Sequence, residues 1–184
     1  DYSNDPATLT TGITVHMFAG TVDGDDQVGH DTLVAVESVI GTRLNDIYDA
    51  LNFVGFNEFQ GLGGDDQIAG NGATQLGYYS ATSSVTVDMK LGTANGDASV
   101  GHDTFDGVEE VRGSNFGDSI YGDDDNNILD GFGGDDLLDG RGGDDELHGG
   151  SGADTFVYTT GADTVRDFNR SEGDRIDLSG VSGV

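Results

Sequence analysis

The chain contains no cysteine, which excludes disulfides, thiolate metal sites and cysteine nucleophiles. It also lacks an apolar run of membrane-spanning length, so we expect no insertion into a membrane by this chain. A GxSxG motif, a Ser/His/Asp order and a glycine-rich phosphate loop are absent, so we expect no catalytic residues and no enzyme activity in the chain itself. No signal peptide opens the sequence, and its start at Asp1 without Met suggests a fragment of a longer protein.

Basic residues are scarce, because 7 Lys and Arg stand against 35 Asp and Glu and give a formal net charge of −28. Carboxylates at this density repel one another, so the chain is either disordered or neutralised by bound cations. Nucleic acid, itself a polyanion, is a poor partner for it. The acids are mostly Asp, and they accompany 32 glycines and a single proline. Because Asp and Gly favour turns and oxygen-rich metal loops, we expect almost no helix.

A nine-residue period runs through 113–157 as the blocks GSNFGDSIY, GDDDNNILD, GFGGDDLLD, GRGGDDELH and GGSGADTFV. Each block has Gly first, an acid or Asn sixth and an apolar residue eighth. The sixth positions are Asp118, Asn127, Asp136, Asp145 and Asp154, and the eighth are Ile120, Leu129, Leu138, Leu147 and Phe156. Residues 158–166 keep the phase, with Asp163 sixth, but lack the leading Gly. A short strand with one inward side chain cannot bury itself, so the blocks must stack.

A longer duplication precedes this array, because residues 12–41 align without a gap to residues 84–113. Both copies contain a Thr-Val pair, a methionine, a polar turn and the segment GHDT. We expect the two copies to fold alike, each as a strand–turn–strand coil that leads into nonapeptides. Partial nonapeptides at 41–49 and 61–69 follow the first copy.

These repeats predict three regions. Residues 1–112 form a degenerate, duplicated solenoid region, and residues 113–166 form the nonapeptide array. Residues 167–184 form a C-terminal cap or the start of one, because the last repeat of a stacked array needs an atypical cover for its open edge.

The turns of the array offer only oxygen ligands. Glycine permits backbone dihedrals that direct carbonyl oxygens inward, and each Asp adds a carboxylate. Flexible, anionic loops of oxygen donors suit Ca²⁺ better than Zn²⁺ or Cu²⁺, and better than Mg²⁺, which requires a tight octahedron. Calcium is therefore the expected ion.

The blocks resemble GGxGxDxUx, the nonapeptide of the RTX (repeats-in-toxin, hemolysin-type) calcium-binding family. The match is near complete at 131–157, good at 113–130 and partial at 41–49 and 61–69. The tail, with Asp167-Phe168 and the run 174–178, is similar to the segment that follows such repeats in secreted serralysin-type proteases and lipases. The resemblance implies an all-β fold, a parallel β-roll or right-handed parallel β-helix (solenoid) with a small C-terminal cap, in which two blocks make one turn.

The resemblance also implies where the ions bind. An ion sits between loops one turn apart and takes carbonyls from positions two and four of the first loop, carbonyls from positions one and three of the next, and both sixth residues. On one edge these sets are Ser114, Phe116, Asp118, Gly131, Gly133 and Asp136, followed by Phe132, Gly134, Asp136, Gly149, Ser151 and Asp154. On the other edge they are Asp123, Asp125, Asn127, Gly140, Gly142 and Asp145, followed by Arg141, Gly143, Asp145, Tyr158, Thr160 and Asp163. About four well-formed calcium sites are expected, with room for more.

Some departures from the pattern weaken particular sites. Asn127 is neutral where Asp is usual, Asp123 replaces the second Gly, and Phe116 replaces the fourth. Other residues keep two interpretations from the sequence. Turn residues or metal ligands are both open for Asp23, Asp25, Asp31, Asp66, Asn95, Asp97 and Asp103. His30 and His102 are structural or zinc ligands. Core or edge packing, or a sugar-stacking surface, are open for Phe18, Phe53, Phe56, Phe59, Tyr78 and Tyr79.

The sequence therefore indicates a Ca²⁺-binding RTX module whose folding is driven by extracellular calcium. We expect it to be a monomer and part of a larger, type I-secreted bacterial protein. One alternative is a calcium-dependent carbohydrate-binding or adhesion module with an extracellular polysaccharide as partner. The other is the non-catalytic C-terminal region of a secreted protease, lipase or alginate epimerase.

Overall fold

The computed structural model describes residues 10–26 and 28–181, and these residues contain strands and turns but no helix. No helix in this part of the chain is therefore able to span a membrane. The ends of two predicted regions, residues 1–9 and 182–184, lie outside the described residues. The strands are β1 Thr14–His16, β2 Thr21–Asp23, β3 His30–Thr32, β4 Ser38–Ile40, β5 Ile47–Asp49, β6 Asn57–Gln60, β7 Gln67–Gly77, β8 Thr86–Asp88, β9 Thr93–Asn95, β10 His102–Arg112, β11 Ser119–Tyr121, β12 Ile128–Asp130, β13 Leu137–Asp139, β14 Glu146–His148, β15 Thr155–Val157, β16 Thr164–Val165 and β17 Arg175–Asp177.

The strands of the nonapeptide array are short because only one side chain in each block is directed into the core. In β11 to β14 the middle residue is buried and its two neighbours are half-buried. The buried residue is the eighth of its block, as for Ile120, Leu138 and Leu147. Successive side chains of a strand point to opposite faces, so a three-residue strand supplies a single core residue.

Strands that lie 18 residues apart pair in parallel, so alternate blocks stack on each other. Ile120 pairs with Leu138, and Leu138 pairs with Phe156. On the opposite side Leu129 pairs with Leu147. The prediction of an all-β roll in which two blocks make one turn is confirmed.

The pairings form two ladders that face each other across the core. The first ladder runs through β1, β5, the first half of β7, the first half of β10, β9, β8, β11, β13, β15 and β17. The second ladder runs through β4, β6, the second halves of β7 and β10, β12, β14 and β16. We call the turns that lead into first-ladder strands the first edge, and those that lead into second-ladder strands the second edge.

Two long strands, β7 and β10, cross from one ladder to the other without a loop. They bend where Gly70 and Gly107 lie against each other. The two backbones approach so closely that a Cβ atom at Gly70 would lie 2.2 Å from the carbonyl oxygen of Gly107. The register between the two strands shifts at this bend. The second edge therefore lacks nonapeptide loops at these turns. Its nonapeptide loops begin at residue 122.

The first three strands of the two copies of the duplication pair in the same way. In the first copy β1 pairs antiparallel with β2, and β2 with β3. In the second copy β8 pairs antiparallel with β9, and β9 with the start of β10, at positions 72 residues later. The predicted strand–turn–strand coil is thus a three-stranded antiparallel meander, and its antiparallel pairing was not anticipated.

The aromatic residues divide between the core and the surface. Phe59 and Tyr78 are buried, and the ring of Phe59 stacks on Tyr48 with 4.7 Å between centroids. Phe18 is 72% exposed, so core packing is wrong for that residue. At the C-terminal end β17 adds to the first ladder beyond the last nonapeptide. The division of the chain at residues 112 and 166 stays a prediction.

Candidate metal centre

Four sixth residues of the array are each hydrogen-bonded to the sixth residue one turn later. The backbone N–H of the earlier residue donates to the Oδ1 atom of the later carboxylate. On the first edge these bonds are Asp118 to Asp136 at 2.7 Å and Asp136 to Asp154 at 2.9 Å. On the second edge they are Asn127 to Asp145 at 2.8 Å and Asp145 to Asp163 at 3.2 Å. The sequence period thus brings the predicted carboxylates into one row along each edge.

The second oxygen of three of these carboxylates is buried without a partner. The Oδ2 atoms of Asp136, Asp145 and Asp154 are inaccessible to solvent and accept no hydrogen bond from the described residues. A buried oxygen of a charged group that lacks a hydrogen-bond partner lowers the stability of the fold by about 1–3 kcal/mol or more. Such atoms require an explanation, and a bound ion or a proton supplies one.

The leading Gly of each block is explained by this same oxygen. A Cβ atom at Gly131 would lie 2.2 Å from Oδ2 of Asp136, and one at Gly140 would lie 2.1 Å from Oδ2 of Asp145. Gly149 stands in the same relation to Asp154, at 2.2 Å. The carboxylate therefore occupies the space of the missing side chain, and any larger residue would displace it.

Backbone carbonyls accompany the carboxylates between successive turns. A Cβ atom at Gly150 would lie 2.3 Å from the carbonyl oxygen of Phe132, and one at Gly152 would lie 1.9 Å from that of Gly134. Phe132 and Gly134 have φ of 71° and 112°, in the left-handed region. These dihedrals direct the two carbonyls, which the family resemblance assigns as ligands, toward the next loop.

Burial governs the electrostatics of the site. Burial, together with smaller repulsions from the neighbouring carboxylates of Asp118 and Asp154, raises the pKa of Asp136 to about 8. Burial also raises the pKa of Asp145 to about 6, with Asp163 adding repulsion. Desolvation and like charges both disfavour the ionised form. A divalent cation among oxygen donors favours that form, so the residues present fit a calcium ion.

Asp118 differs from the other first-edge carboxylates. Its Oδ2 accepts the backbone N–H of Ser114 at 2.5 Å, and its Oδ1 accepts the Ser114 hydroxyl at 2.8 Å and the Val85 N–H at 2.7 Å. Thr42 and Asp46, 72 residues earlier, repeat this arrangement. Because both Asp118 oxygens have partners, the predicted set that begins at Ser114 has one committed carboxylate.

The predicted sets of the second edge also contain residues that already have hydrogen-bond partners. Asn127 accepts the Asp123 N–H with Oδ1 at 2.9 Å, and Asp125 donates its N–H to the Asp123 side chain at 2.8 Å. In the last predicted set, the Arg141 carbonyl accepts a hydrogen bond from the Thr160 hydroxyl at 2.9 Å. Tyr158 lies at the rim, where its hydroxyl donates to a backbone carbonyl.

Within the described residues no three His, Asp or Glu side chains converge as a metal cluster. Each predicted set instead combines two sixth-position side chains with four backbone carbonyls. His30 and His102 bridge neighbouring strands through Asp23 and Asn95, at 2.5 Å in both cases. The zinc interpretation of these histidines has no support from their surroundings.

Asp174 continues the first-edge row of carboxylates but was not predicted from the sequence. Its Oδ1 accepts the N–H of Asp154 at 3.1 Å, and its Oδ2 accepts the N–H of Asn169 at 2.7 Å. Asp174 follows Asp154 by 20 residues rather than 18, so it is out of phase with the nonapeptides. The available signal was an Asp directly before the strand-like run of β17.

Comparison with known families agrees with this geometry. A family model described as the RTX calcium-binding nonapeptide repeat (4 copies) matches residues 103–131, 112–147 and 130–165. No curated protein matches the chain. The matched segments contain the row of sixth residues on both edges and end before the tail, whose likeness to secreted proteases and lipases stays a prediction. Through residues 103–165 the chain therefore carries the RTX calcium-binding nonapeptide repeats and forms a calcium-binding β-roll.

Proposed function

We propose that this chain is a folding module that extracellular calcium orders, within a larger, type I-secreted bacterial protein. The observation that carries the proposal is the row of buried, unpartnered Oδ2 atoms on Asp136, Asp145 and Asp154. Without a cation these atoms oppose folding, because each ionised group loses its hydration and gains no partner. With calcium they become ligands, and the free energy of binding becomes free energy of folding.

The net charge of −28 gives the calcium dependence a direction. Where free calcium is low, the carboxylates repel one another and keep the chain unfolded, which suits export. At millimolar calcium, sites with a Kd of about 10⁻⁴ to 10⁻³ M contribute only about 0.4–1.4 kcal/mol each. Ordering of the roll therefore requires cooperation among sites.

The shared carboxylates supply that cooperation. Asp136 belongs to two successive predicted sets on the first edge, and Asp145 belongs to two on the second. Filling one set fixes a carboxylate that the next set also uses. We rank the set from Phe132 to Asp154 first, because both of its carboxylates have an unpartnered oxygen. The sets that include Asp118 or Asn127 rank lower, because those side chains already accept hydrogen bonds.

The chain itself acts as a monomeric, secreted binding module, and any catalytic activity resides in other parts of the parent protein. RTX repeats are a non-catalytic calcium-binding module, which supports this assignment.

A calcium titration tests the proposal. Chelator-treated protein is titrated with CaCl₂ while far-UV circular dichroism follows the β signal, and MgCl₂ serves as the matched control. We expect a sigmoidal gain of β structure at sub-millimolar to millimolar calcium and a much smaller response to magnesium. A β signal that is unchanged by chelator and by calcium would refute calcium-driven folding.

A further inference from the structure

The backbone geometry of the calcium loops recurs in the turn 61–66, which precedes the residues 103–165 that the family model matches. In the turn 61–66, Leu62 and Gly64 have φ of 75° and 109°, compared with 64° and 105° for Arg141 and Gly143. A Cβ atom at Gly61 would lie 1.7 Å from Oδ2 of Asp66, as Gly140 does for its own carboxylate. The partial nonapeptide at 61–69 therefore has the backbone of a complete one.

The segment GHDT of the second copy stacks on this turn as the next nonapeptide loop would. A Cβ atom at Gly101 would lie 1.8 Å from the carbonyl oxygen of Gly64. The Asp66 N–H donates to Oδ1 of Asp103 at 3.0 Å, which reproduces the bond from Asp145 to the carboxylate one turn later. Residues 98–106 thus form a nonapeptide, with Asp103 sixth.

The hydrogen bonds around this loop agree with that assignment. The His102 N–H donates to Oδ1 of Asp65 at 3.0 Å, and the Ala162 N–H donates to the equivalent Asp144 at 2.9 Å. The eighth residue of the block, Phe105, is part of the buried core. The two sixth residues lie 37 apart in the chain because the first two strands of the second-copy meander, β8 and β9, lie between them, so the nine-residue period does not connect them.

The negative charges of the Asp66 and Asp103 carboxylates are not balanced by positive charge among the described residues. The Oδ2 atom of Asp66 is buried and has no hydrogen-bond partner among residues 10–26 and 28–181, and Asp66 is 1% exposed. Asp103 is also buried, and its Oδ2 accepts the Tyr78 hydroxyl at 3.2 Å. Burial raises the pKa of Asp66 to about 8 and that of Asp103 to about 7. Two buried carboxylates beside each other need a cation or a proton.

We propose that the turns 61–66 and 98–103 bind a further calcium ion, held by the carboxylates of Asp66 and Asp103 and by the carbonyls of Leu62 and Gly64. All of these donors are oxygens, and two of them are anionic, which matches the ligand preference of Ca²⁺. The Tyr78 hydroxyl stays hydrogen-bonded to the Asp103 carboxylate and orients it. The duplicated region is thereby a calcium-dependent part of the roll rather than an inert extension of it.

The first copy does not share this site in the described part of the chain. A Cβ atom at Gly29, the counterpart of Gly101, would meet no atom within 4 Å, so no loop stacks on it there. Among the described residues, the turn 61–66 stacks on the GHDT segment of the second copy, and no turn stacks on that of the first.

Residue-level NMR tests the proposal. The ¹⁵N-labelled chain is titrated with CaCl₂, and amide signals of Gly64 and Gly101 are followed beside those of Gly134 and Gly152. Asp66→Asn is compared with Asp46→Asn, since Asp46 lies one turn earlier on the same edge and has both oxygens hydrogen-bonded. In saturating calcium, we expect Asp66→Asn to move the amide signals of Gly64 and Gly101 from their positions in the parent chain while those of Gly134 and Gly152 stay in place, and native mass spectrometry to count one ion fewer. Asp46→Asn should keep the full count.

The outcomes separate this site from the array. Responses at Gly134 and Gly152 without any at Gly64 and Gly101 would overturn this inference and leave the array's calcium binding intact. Loss of the ion in Asp46→Asn rather than Asp66→Asn would also overturn it. Stability without calcium provides a second criterion. Asp66→Asn should retain at least as much β signal as the parent chain there, because an unpartnered buried carboxyl oxygen is removed, whereas an equal loss of β signal with and without calcium would mean a purely structural role.

Discussion

The backbone N–H of Asp136 lies 2.9 Å from Oδ1 of Asp154, one turn further along the roll. The carboxylate of Asp154 is thus anchored by one oxygen to the preceding turn, while its other oxygen is buried without a partner. The same arrangement occurs at Asp136 and Asp145, where one oxygen accepts a hydrogen bond from the preceding turn and the other has no partner among the described residues. The same carboxylates therefore take part both in the hydrogen bonding of neighbouring turns and in the binding of cations between them.

Replacing Asp136 should impair calcium-driven folding more than replacing Asp118. Asp136→Ala removes a carboxylate that two predicted sets share, so we expect the midpoint calcium concentration to rise at least about tenfold, or about 1.4 kcal/mol. Asp118→Ala removes a carboxylate whose oxygens already have partners, and its midpoint should shift about threefold or less, below about 0.7 kcal/mol. Calcium titrations monitored by circular dichroism compare the two. Equal shifts would contradict the sharing of Asp136.

The leading glycine of a block should be far less tolerant than the third. Gly140→Ala places a Cβ atom 2.1 Å from the Asp145 carboxylate, whereas a Cβ atom at Gly142 would lie 3.6 Å from the backbone of Asp124 and no closer to any other turn. We expect Gly140→Ala to lower the free energy of unfolding in saturating calcium by about 1–3 kcal/mol, as overpacking does. Gly142→Ala should stay within about 0.5 kcal/mol, as for an unobstructed surface change. Urea denaturation measures both, and similar losses would argue against the carboxylate clash.

Acid should stabilise the calcium-free folded form. Burial raises the folded-state pKa of Asp136 to about 8, above the ordinary value of 3.8. A raised carboxyl pKa makes the folded state bind the proton more tightly, so this contribution is complete below pH 4 and is lost as the pH rises toward 8. In calcium-depleted buffer, the β signal in far-UV circular dichroism should therefore be larger at pH 5 than at pH 8. With saturating calcium the dependence should weaken or reverse, since the ion requires the ionised carboxylate. A calcium-free form that is more stable at pH 8 would contradict the prediction.

Because each block contributes one side chain to the core, replacement of an eighth residue should strongly lower the free energy of unfolding. Leu147 is buried between its neighbours in the second ladder, and Leu91 is an exposed control in the turn between β8 and β9. Leu147→Ala should cost about 2–5 kcal/mol in saturating calcium because it leaves a cavity. Leu91→Ala should change the free energy of unfolding by less than about 0.5 kcal/mol. Chemical denaturation distinguishes the two, and a tolerant Leu147 would mean that calcium alone maintains the stack.

The nine-residue period by itself determined most of the C-terminal half. It identified Leu138 and Leu147 as core residues, and together with the family resemblance it assigned the sixth residues to two edges. This succeeded because a stacked repeat makes the same contacts in every turn, so each contact recurs at a fixed spacing in the chain. The duplication likewise showed that two segments fold alike without revealing their pairing.

Only the tertiary structure decided which carboxylates have a free oxygen. Asp118 and Asp136 occupy the same position in their blocks, yet Ser114 completes the hydrogen bonding of Asp118 and nothing described does so for Asp136. Only the structure, too, placed Asp103 one turn after Asp66 and Asp174 one turn after Asp154. Insertions between these partners break the period, and their proximity arises from strand pairing, which depends on the whole stack and not on spacing along the chain.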